Sequence, residues 1–392
     1  MKNILVIGFS TRNIVCSGKR AGYKMYSLDT FCDHDLVQCS AGAKRLEDSN
    51  AFDSRVYEIE KLRELIESFN VDFDAIIPGS GFEMCELERL PYRFLGNDIE
   101  IIRNVSDKYM FSMMMKKMNI AHPSTVLLSD IAKLKMPAII KPMYSGGGVF
   151  NIRIDTESDM KKILFESLGN IYPFTEDKLI AQEYVAGIPV SVSVIATKEK
   201  AVAIAINEQL TGIPSLTENP FAYCGNITPF DTSYDWEIKR VAEELVLGLG
   251  IIGSVGVDLI ISEYGPVIIE VNARVQGSLD TVEMFTGINI LDAHVKAFNG
   301  DIDISTKMHI NCKKEYSGRA IIYAQKDVFV TDAIQKKIME KNVRDIPPVG
   351  YIIGRGEPVV SLIGTGDERD ELLRSIDQSV MFIRDSLNLS TP

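Results

Sequence analysis

Histidine is scarce in this chain of 392 residues: His34, His122, His294 and His309 are all there is. None sits in a nucleophile or metal motif, so histidine-centred acid–base chemistry is not expected. The six cysteines (Cys16, Cys32, Cys39, Cys85, Cys224, Cys312) show no C-x-x-C spacing, which predicts free thiols in a reducing cytoplasm. Cys32, His34 and Cys39 are zinc-ligand types, but no fourth ligand accompanies them and no zinc site is expected. Positive charge is also short, with 42 Lys and Arg against 54 Asp and Glu and a net charge of −12. Nucleic acid and anionic membranes are therefore not the expected partners, although a local basic pocket for phosphates remains compatible with an acidic protein. No apolar run approaches the roughly 20 residues of a membrane span. The start, MKNILVIGFSTRNIV, fits a first strand better than a signal peptide. Gly8 is followed by Ser10, Thr11 and Arg12 rather than by further glycines, so the dinucleotide fingerprint is missing and a nicotinamide cofactor is not expected. There is no internal repeat and no low-complexity segment.

What is present reads as a globular α/β protein. The hydrophobic share is 46% and the charged share 24%, and the length calls for two or three domains. The first hundred residues alternate strand and helix: a strand at Ile4 to Gly8, a helix from Asn13 to Ala21, a strand at Lys24 to Asp29, an amphipathic helix from Lys61 to Phe69, and a strand at Ala75 to Pro78 entering the loop GSGFE. That pattern predicts a small doubly wound domain with its loops gathered at the strand C-termini. A helix then opens at Ser106 and Asp107, carries methionines that suit core packing, and closes by Pro123. Further on come strands at Ala138 to Lys141, Val149 to Ile154 and Leu179 to Tyr184, a helix from Asp159 to Leu168, a long β run from Val190 to Ile206, and a helix from Trp236 to Leu249. The tail mixes strands at Ala320 to Ala324, Val349 to Ile353 and Val359 to Ile363 with a final helix from Glu368 to Leu387, a smaller α+β unit.

The most informative stretch is VGVDLIISEYGPVIIEVNAR, Val255 to Arg274. Asp258 and Glu270 lie symmetrically about Tyr264 in a turn-forming segment, so antiparallel pairing sets the two carboxylates opposite each other. Asn272 shares the face of Glu270 at strand period. Val267, Ile268, Ile269 and Val271 make this strand nearly all apolar, and a carboxylate in a buried strand needs a partner or a metal. Two carboxylates, an amide oxygen and Arg274 fit a Mg²⁺ site with a phosphate partner. Upstream, KPMYSGGGV puts Lys141 before a glycine triplet, Gly146 to Gly148, whose backbone N–H groups can approach phosphate oxygens. Taken alone it also fits a flexible turn, and no G-K-[ST] follows it. Gln182, Glu183, Tyr184 and Val185 form a strand edge that breaks at Gly187 and Pro189, either a plain strand and turn or a hinge offering backbone groups to a purine.

These pieces, in this order, resemble the ATP-grasp superfamily over about the first three quarters of the chain. The resemblance implies an ATP-grasp fold in three parts: an N-terminal pre-ATP-grasp α/β domain over 1–103, an ATP-grasp domain over 104–300 with a mobile lid at about 120–187, and an α+β domain over 301–392. It further implies that Lys108 (in SDK) and Lys141 (in IIKP) contact the nucleotide phosphates, that Ser145, Gly146, Gly147 and Gly148 close over them, and that Gln182 to Val185 hold adenine. Asp258, Glu270 and Asn272 look like ligands of Mg²⁺ (or Mn²⁺), and Arg274 like the residue that steadies the transferring phosphate. GFSTR, AGY and GSGFE, with the GEP element near Gly356, resemble a group of archaeal and bacterial predicted ATP-dependent carboligases related to biotin carboxylase. Two departures are visible. Pro189 stands where many members have a glutamate for the ribose hydroxyls, and Asn207-Glu208-Gln209 stands where many carry a histidine or lysine, with Gln209 as a neutral donor in that position.

The implied activity is ADP-forming ligation of a small-molecule carboxylate to an amine through an acyl phosphate, with ATP and Mg²⁺ required. Arg12 and Glu83, at strand C-termini of the first domain, are the expected anchors for the substrate carboxylate and amine. The alternatives are carboxylation through carboxyphosphate, against which the lack of a biotin-attachment motif weighs, and a nucleotide-binding regulatory module without catalysis. A homodimer is the assembly to test.

Overall fold

The computed structural model describes residues 2–46, 59–166, 175–302 and 315–388. His309, Cys312 and the expected helix end at Leu168 lie outside the described residues. The apolar runs at the start become β1 (Asn3–Gly8) and β2 (Lys24–Asp29), joined by β3 (Gly42–Arg45) and β4 (Ala75–Pro78) in a parallel sheet of order β3-β2-β1-β4. Ile4 to Ile7 are fully buried, which is the burial a parallel sheet with covered faces requires. Helix Arg12–Arg20 crosses from β1 to β2, and helix His34–Cys39 packs beside it. That packing corrects the expectation of free thiols throughout. Cys16 and Cys39 are joined in a disulfide with their Cα atoms 5.3 Å apart, while Cys32, Cys85 and Cys224 remain thiols. A spacing rule sees only neighbours in sequence, whereas these two cysteines meet because two helices pack side by side. With Cys39 in that bond, the Cys32–His34–Cys39 set has lost one of its three ligands.

Helix Lys108–Lys117 is capped by Asp107, whose carboxylate accepts from the N–H groups of Tyr109 and Met110 at 3.0 Å each. It ends well before Pro123, with Asn119 in the left-handed region at φ 56°. A four-stranded antiparallel sheet follows, of order β5 (Thr125–Leu127), β8 (Leu179–Glu183), β6 (Ala138–Pro142), β7 (Ile152–Ile154). The long β run resolves into β9 (Ile188–Ala196) and β10 (Ala201–Thr211), followed by β11 (Tyr223–Thr228), β12 (Gly253–Ser262) and β13 (Gly265–Asn272). In the tail, β15 (Val328–Phe329) and β17 (Ile352–Ile353) pair with each other, whereas β14 (Tyr316–Tyr323), β16 (Val343–Arg344) and β18 (Pro358–Gly366) do not build a sheet of their own. They extend the central one to eight strands, β13-β12-β9-β10-β11-β14-β18-β16, and the register of β11 with β14 pairs Asn226 with Arg319.

This sheet has two different faces. On one, Val192, Val194 and Val257 pack on Ile238, Ala242, Leu245 and Val246 of helix Asp235–Gly248. The other carries Ser191, Ser193, Asn207, Gln209, Asn226, Thr228 and Arg319, alternating with the buried apolar residues. Buried polar groups are tolerated there because they bond one another: Thr228 Oγ1 donates to Asn207 Oδ1 at 2.7 Å, and Asn207 Nδ2 to Ser193 Oγ at 3.1 Å. Among the described residues no helix is long and apolar enough to cross a membrane.

Candidate active site

β12 and β13 meet at a two-residue turn, with Ser262 opposite Gly265 and Leu259 opposite Ile268. Continued evenly, that register would set Asp258 against Ile269. A bulge at this point shifts the ladder by one residue, and Asp258 faces Glu270 instead. Counting symmetrically from Tyr264 reaches the same pair only because the bulge offsets a turn centred before Tyr264. Asp258 accepts from two amides, Gln209 Nε2 and Asn272 Nδ2, both at 2.9 Å. Burial, and then the neighbouring charge of Glu270, push the Asp258 carboxyl up to about 7. Among the described residues neither carboxylate of this close, half-buried pair is ion-paired, and a divalent ion with hard oxygen preference fits it. Asn272 Oδ1 accepts from Arg274 Nη2 at 2.9 Å and keeps a second lone pair for that ion. Next to Asn272, Gly256 has no room for a side chain, since a Cβ there would lie 1.4 Å from Gln276 Nε2.

Two lysines point into the same cavity from other elements. Lys108, at the start of its helix, is 7% exposed and donates to the Ser145 carbonyl at 2.6 Å. Lys141, on β6, is 5% exposed and donates to Gln182 Oε1 at 2.7 Å, while Gln182 Nε2 donates to Thr125 at 2.9 Å. Burial, and then the charge of Lys108, pull the Lys141 ammonium down to about 7. Among the described residues neither lysine has a carboxylate within ion-pair distance. Buried cations without anions are costly, so their place here calls for an anionic ligand.

The glycine loop follows β6. Gly147 and Gly148 take positive φ (69° and 72°), and a Cβ on Gly148 would stand 1.9 Å from the Phe221 carbonyl oxygen. The close approach joins this loop to the segment before β11, and Tyr223 N–H donates to the Gly147 carbonyl at 3.2 Å. At the hinge, the N–H groups of Glu183 and Tyr184 are spent on Ser124 and Pro137 carbonyls at 2.9 and 3.1 Å, and Glu183 also accepts from Ser124 N–H. Val185 N–H has no internal acceptor among the described residues. Ile139, Val185, Ile260 and Ile269 provide apolar walls beside it. Lysines, loop, hinge, carboxylate pair and Arg274 all line one cavity of about 630 Å³.

Arg12 and Glu83 are elsewhere than expected. The Arg12 side chain is 1% exposed and does not line the cavity. It is held by Asp280 at 2.7 Å, Asp345 at 2.9 Å and Asp35 at 3.6 Å, so it ties β1 to the central and tail segments. Burial works against its charge, but Asp345 and Asp280 hold the guanidinium protonated. Helix Arg12–Arg20 begins where three carboxylates converge, that of Asp280 buried and those of Asp35 and Asp345 half-buried, and a guanidinium satisfies them better than it would a substrate across the cleft. Glu83 forms an ion pair with Arg274 Nε and does not line the cavity either. Conversely, Ser10, Asn13, Ser80, Tyr223, Ser278 and Arg319 line the cavity and were not singled out from sequence. Ser278 could have been found, since it lies just past Arg274; Arg319 could not, because its strand joins the sheet from the distant tail.

Comparison with known proteins agrees with this geometry. Residues 105–278 match the model of the ATP-grasp domain family. An uncharacterized protein of Methanocaldococcus jannaschii is 26% identical over 390 residues, spanning 96% of this chain and 90% of that one. The biotin carboxylase domain dimer of the Hydrogenobacter thermophilus 2-oxoglutarate carboxylase, solved with MgADP, ADP and bicarbonate, superposes with a TM-score of 0.72 at 16% identity over 96% of this chain and 89% of its own. An L-amino acid ligase from Bacillus licheniformis gives 0.70 at 16% identity over 97% of each chain. At these identities the solved structures speak for the fold, and the family match speaks for the cavity-bearing segment. Residues 105–278 of the chain belong to the ATP-grasp domain family by that match.

Proposed function

We propose that this chain is an ADP-forming, ATP-dependent carboxylate–amine ligase acting on small molecules. The observation that carries the reading is the pair of buried lysines, Lys108 and Lys141, without carboxylate partners in a cavity that also holds the Asp258–Glu270 pair. Lysines and carboxylates that, among the described residues, form no ion pairs in one cavity match the two halves of a metal–nucleotide complex. Lys108 and Lys141 hold the phosphates, the Ser145 to Gly148 loop covers them, and Val185 N–H with the apolar walls takes the base. Gln182 acts on Lys141 rather than on the base, fixing its ammonium. Asp258, Glu270 and Asn272 would hold Mg²⁺, which when bound would neutralise phosphate charge. Arg274, steered by Glu83 and Asn272, faces the transferring phosphate.

In the reaction a substrate carboxylate oxygen attacks the γ-phosphorus of ATP and the bond to ADP breaks, giving an acyl phosphate. A deprotonated amine then attacks the acyl carbon, forming the amide and releasing phosphate. The chain supplies positioning and charge, which suffices for phosphoryl transfer between two anions. The small sheet β5-β8-β6-β7, within the segment at about 120–187, acts as the lid. The reading implies a cytoplasmic protein, where ATP is supplied, and a homodimer, after the dimer of the Hydrogenobacter domain.

The test is ADP release measured against a panel of carboxylates with and without amines, and against bicarbonate alone. Stimulation that requires a carboxylate, with amide formation when an amine is added, is the expected result. Stimulation by bicarbonate alone would assign carboxylation instead, and MgATP binding without turnover under every condition would make the chain a regulatory module.

A further inference from the structure

Beyond the carboxylate pair the cavity continues into a half that the nucleotide does not need. Ser10, Asn13, Ser80, Tyr223, Ser278 and Arg319 line it. Among the described residues the carboxylates lining the cavity are Glu183 at the hinge and the Asp258–Glu270 pair, and none of them offers this half a free acid to anchor an ammonium group. Glu83 is committed to Arg274. What this half does offer is a buried cation.

Arg319 is 8% exposed, and its guanidinium is held from behind. Nε donates to Ser361 Oγ at 3.1 Å, Nη2 to Asp345 at 2.7 Å and to Ser361 at 3.0 Å, and Nη1 to the Gly277 carbonyl at 2.9 Å. A guanidinium has five N–H donors, so one on Nη1 is left over. Asp345 also takes Arg12, so its charge is divided between two guanidinium groups and neutralises neither in full. The floor beneath Nη1 is Gly277, where even a Cβ would stand 3.7 Å from Nη1 and 3.9 Å from Tyr223 Oη. Register fixes the distance to the chemistry. Gln209, Asn226 and Arg319 face one another across three adjacent strands, and Gln209 bonds Asp258. Two strand spacings put the Arg319 backbone about 10 Å from that of Gln209.

We propose that Arg319 is a specificity residue: its spare Nη1–H receives an oxyanion carried by the amine substrate. The acceptor is then an amine bearing its own carboxylate or phosphate, not a plain amine. The proposal takes from the ligase reading the idea that an amine enters this half. Asp345, Ser361 and the Gly277 carbonyl are positioning groups that aim the guanidinium.

The test is binding to the full chain loaded with Mg²⁺ and a non-hydrolysable ATP analogue, read as thermal stabilisation. The probes are the common α-amino acids, each paired with its carboxamide, and 2-aminoethyl phosphate as the phosphate-bearing arm. At least one acid-bearing amine is expected to bind about tenfold or more tightly than its uncharged counterpart, the effect of a charge-assisted hydrogen bond in a buried site. Arg319→Lys, which keeps a charge for Asp345 but lacks the spare donor, should abolish that preference. In turnover the same variant should raise KM for the amine more than it lowers kcat. Equal binding of acids and amides, no binding by any acid-bearing amine, or full discrimination in Arg319→Lys would overturn the proposal. The wild-type comparison stands even if the variant fails to fold. Arg319-dependent binding without ADP release under any carboxylate would leave the proposal standing and remove the ligase reading.

Discussion

Arg12→Met separates a structural role for this arginine from the substrate-binding role its position after β1 suggested. In the structure Arg12 is the ion-pair partner of Asp280 at 2.7 Å and shares Asp345 at 2.9 Å with Arg319. Removing the guanidinium leaves Asp345 with Arg319 and Asp35 with the backbone N–H groups of Asp345 and Ile346, but Asp280, itself 8% exposed, without a cation. One buried carboxylate left unpaired costs about 3–5 kcal/mol, and with Arg319 still in place the loss should not double. The assay is urea unfolding followed to its first transition, because a chain of several packed units need not unfold in one step. Arg12→Met should lower that stability by about 3–5 kcal/mol, and adding Asp280→Asn should recover a large part of it, since the orphaned charge is then gone. Affinity for MgADP should change little, as Arg12 lies outside the cavity. A variant as stable as the parent that instead raises KM for a carboxylate would refute the structural role and return Arg12 to the substrate.

Three further outcomes follow from the geometry. His294 accepts from Ser254 N–H on Nδ1 at 2.9 Å and faces the Leu95 carbonyl with Nε2 at 3.1 Å, so it must be neutral, and burial pulls it down to about 4. An unfolded histidine titrates near 6.5, so stability holds above that pH and falls as pH drops from 6.5 towards 4, by roughly 3 kcal/mol; His294→Gln should flatten that part of the urea-midpoint profile, and an unchanged slope would refute it. Metal-free ADP at pH 7 should take up about half a proton as its phosphates recharge Lys141, and MgADP should take up less because Asp258 loses a proton to the ion; calorimetry in buffers of different ionisation enthalpy measures both, and equal values would contradict the assignment. Gly148→Ala should cut kcat/KM for ATP about tenfold or more, because the Cβ meets Phe221 O at 1.9 Å, whereas Gly147→Ala, with 3.9 Å of room, should lose only what its positive φ costs, about 1 kcal/mol; steady-state ADP release compares them.

Local signals in the chain carry far. The alternation of β1, β2 and β4 with helices, the hairpin with Asp258 against Glu270, and the loop and hinge that line the cavity are all short-range patterns of apolar period and turn chemistry. The failures are equally physical. The Cys16–Cys39 bond, the capture of Arg12 by Asp280 and Asp345, and the pairing of Glu83 with Arg274 depend on which segments pack together, and no spacing encodes that. The tail's short strands and final helix read as a smaller α+β unit that completes the fold, and which strand of it reaches the site is not legible: β14 joins the central sheet and brings Arg319 to the cavity wall. The bulge beside Asp258 is a further case: a right pairing was reached through a turn centre that is off by half a residue.

Whether the cavity is a metal–nucleotide site is decided by ATP affinity with and without Mg²⁺ in the wild-type chain and in Glu270→Gln. ATP should bind far more tightly with Mg²⁺ to the wild type, and most of that gain should vanish in Glu270→Gln. Metal-free ATP should bind the variant at least as well as the wild type, because the lost carboxylate repelled the phosphates. Full Mg²⁺ dependence in Glu270→Gln, or no ATP binding by the wild type, would contradict the site described here.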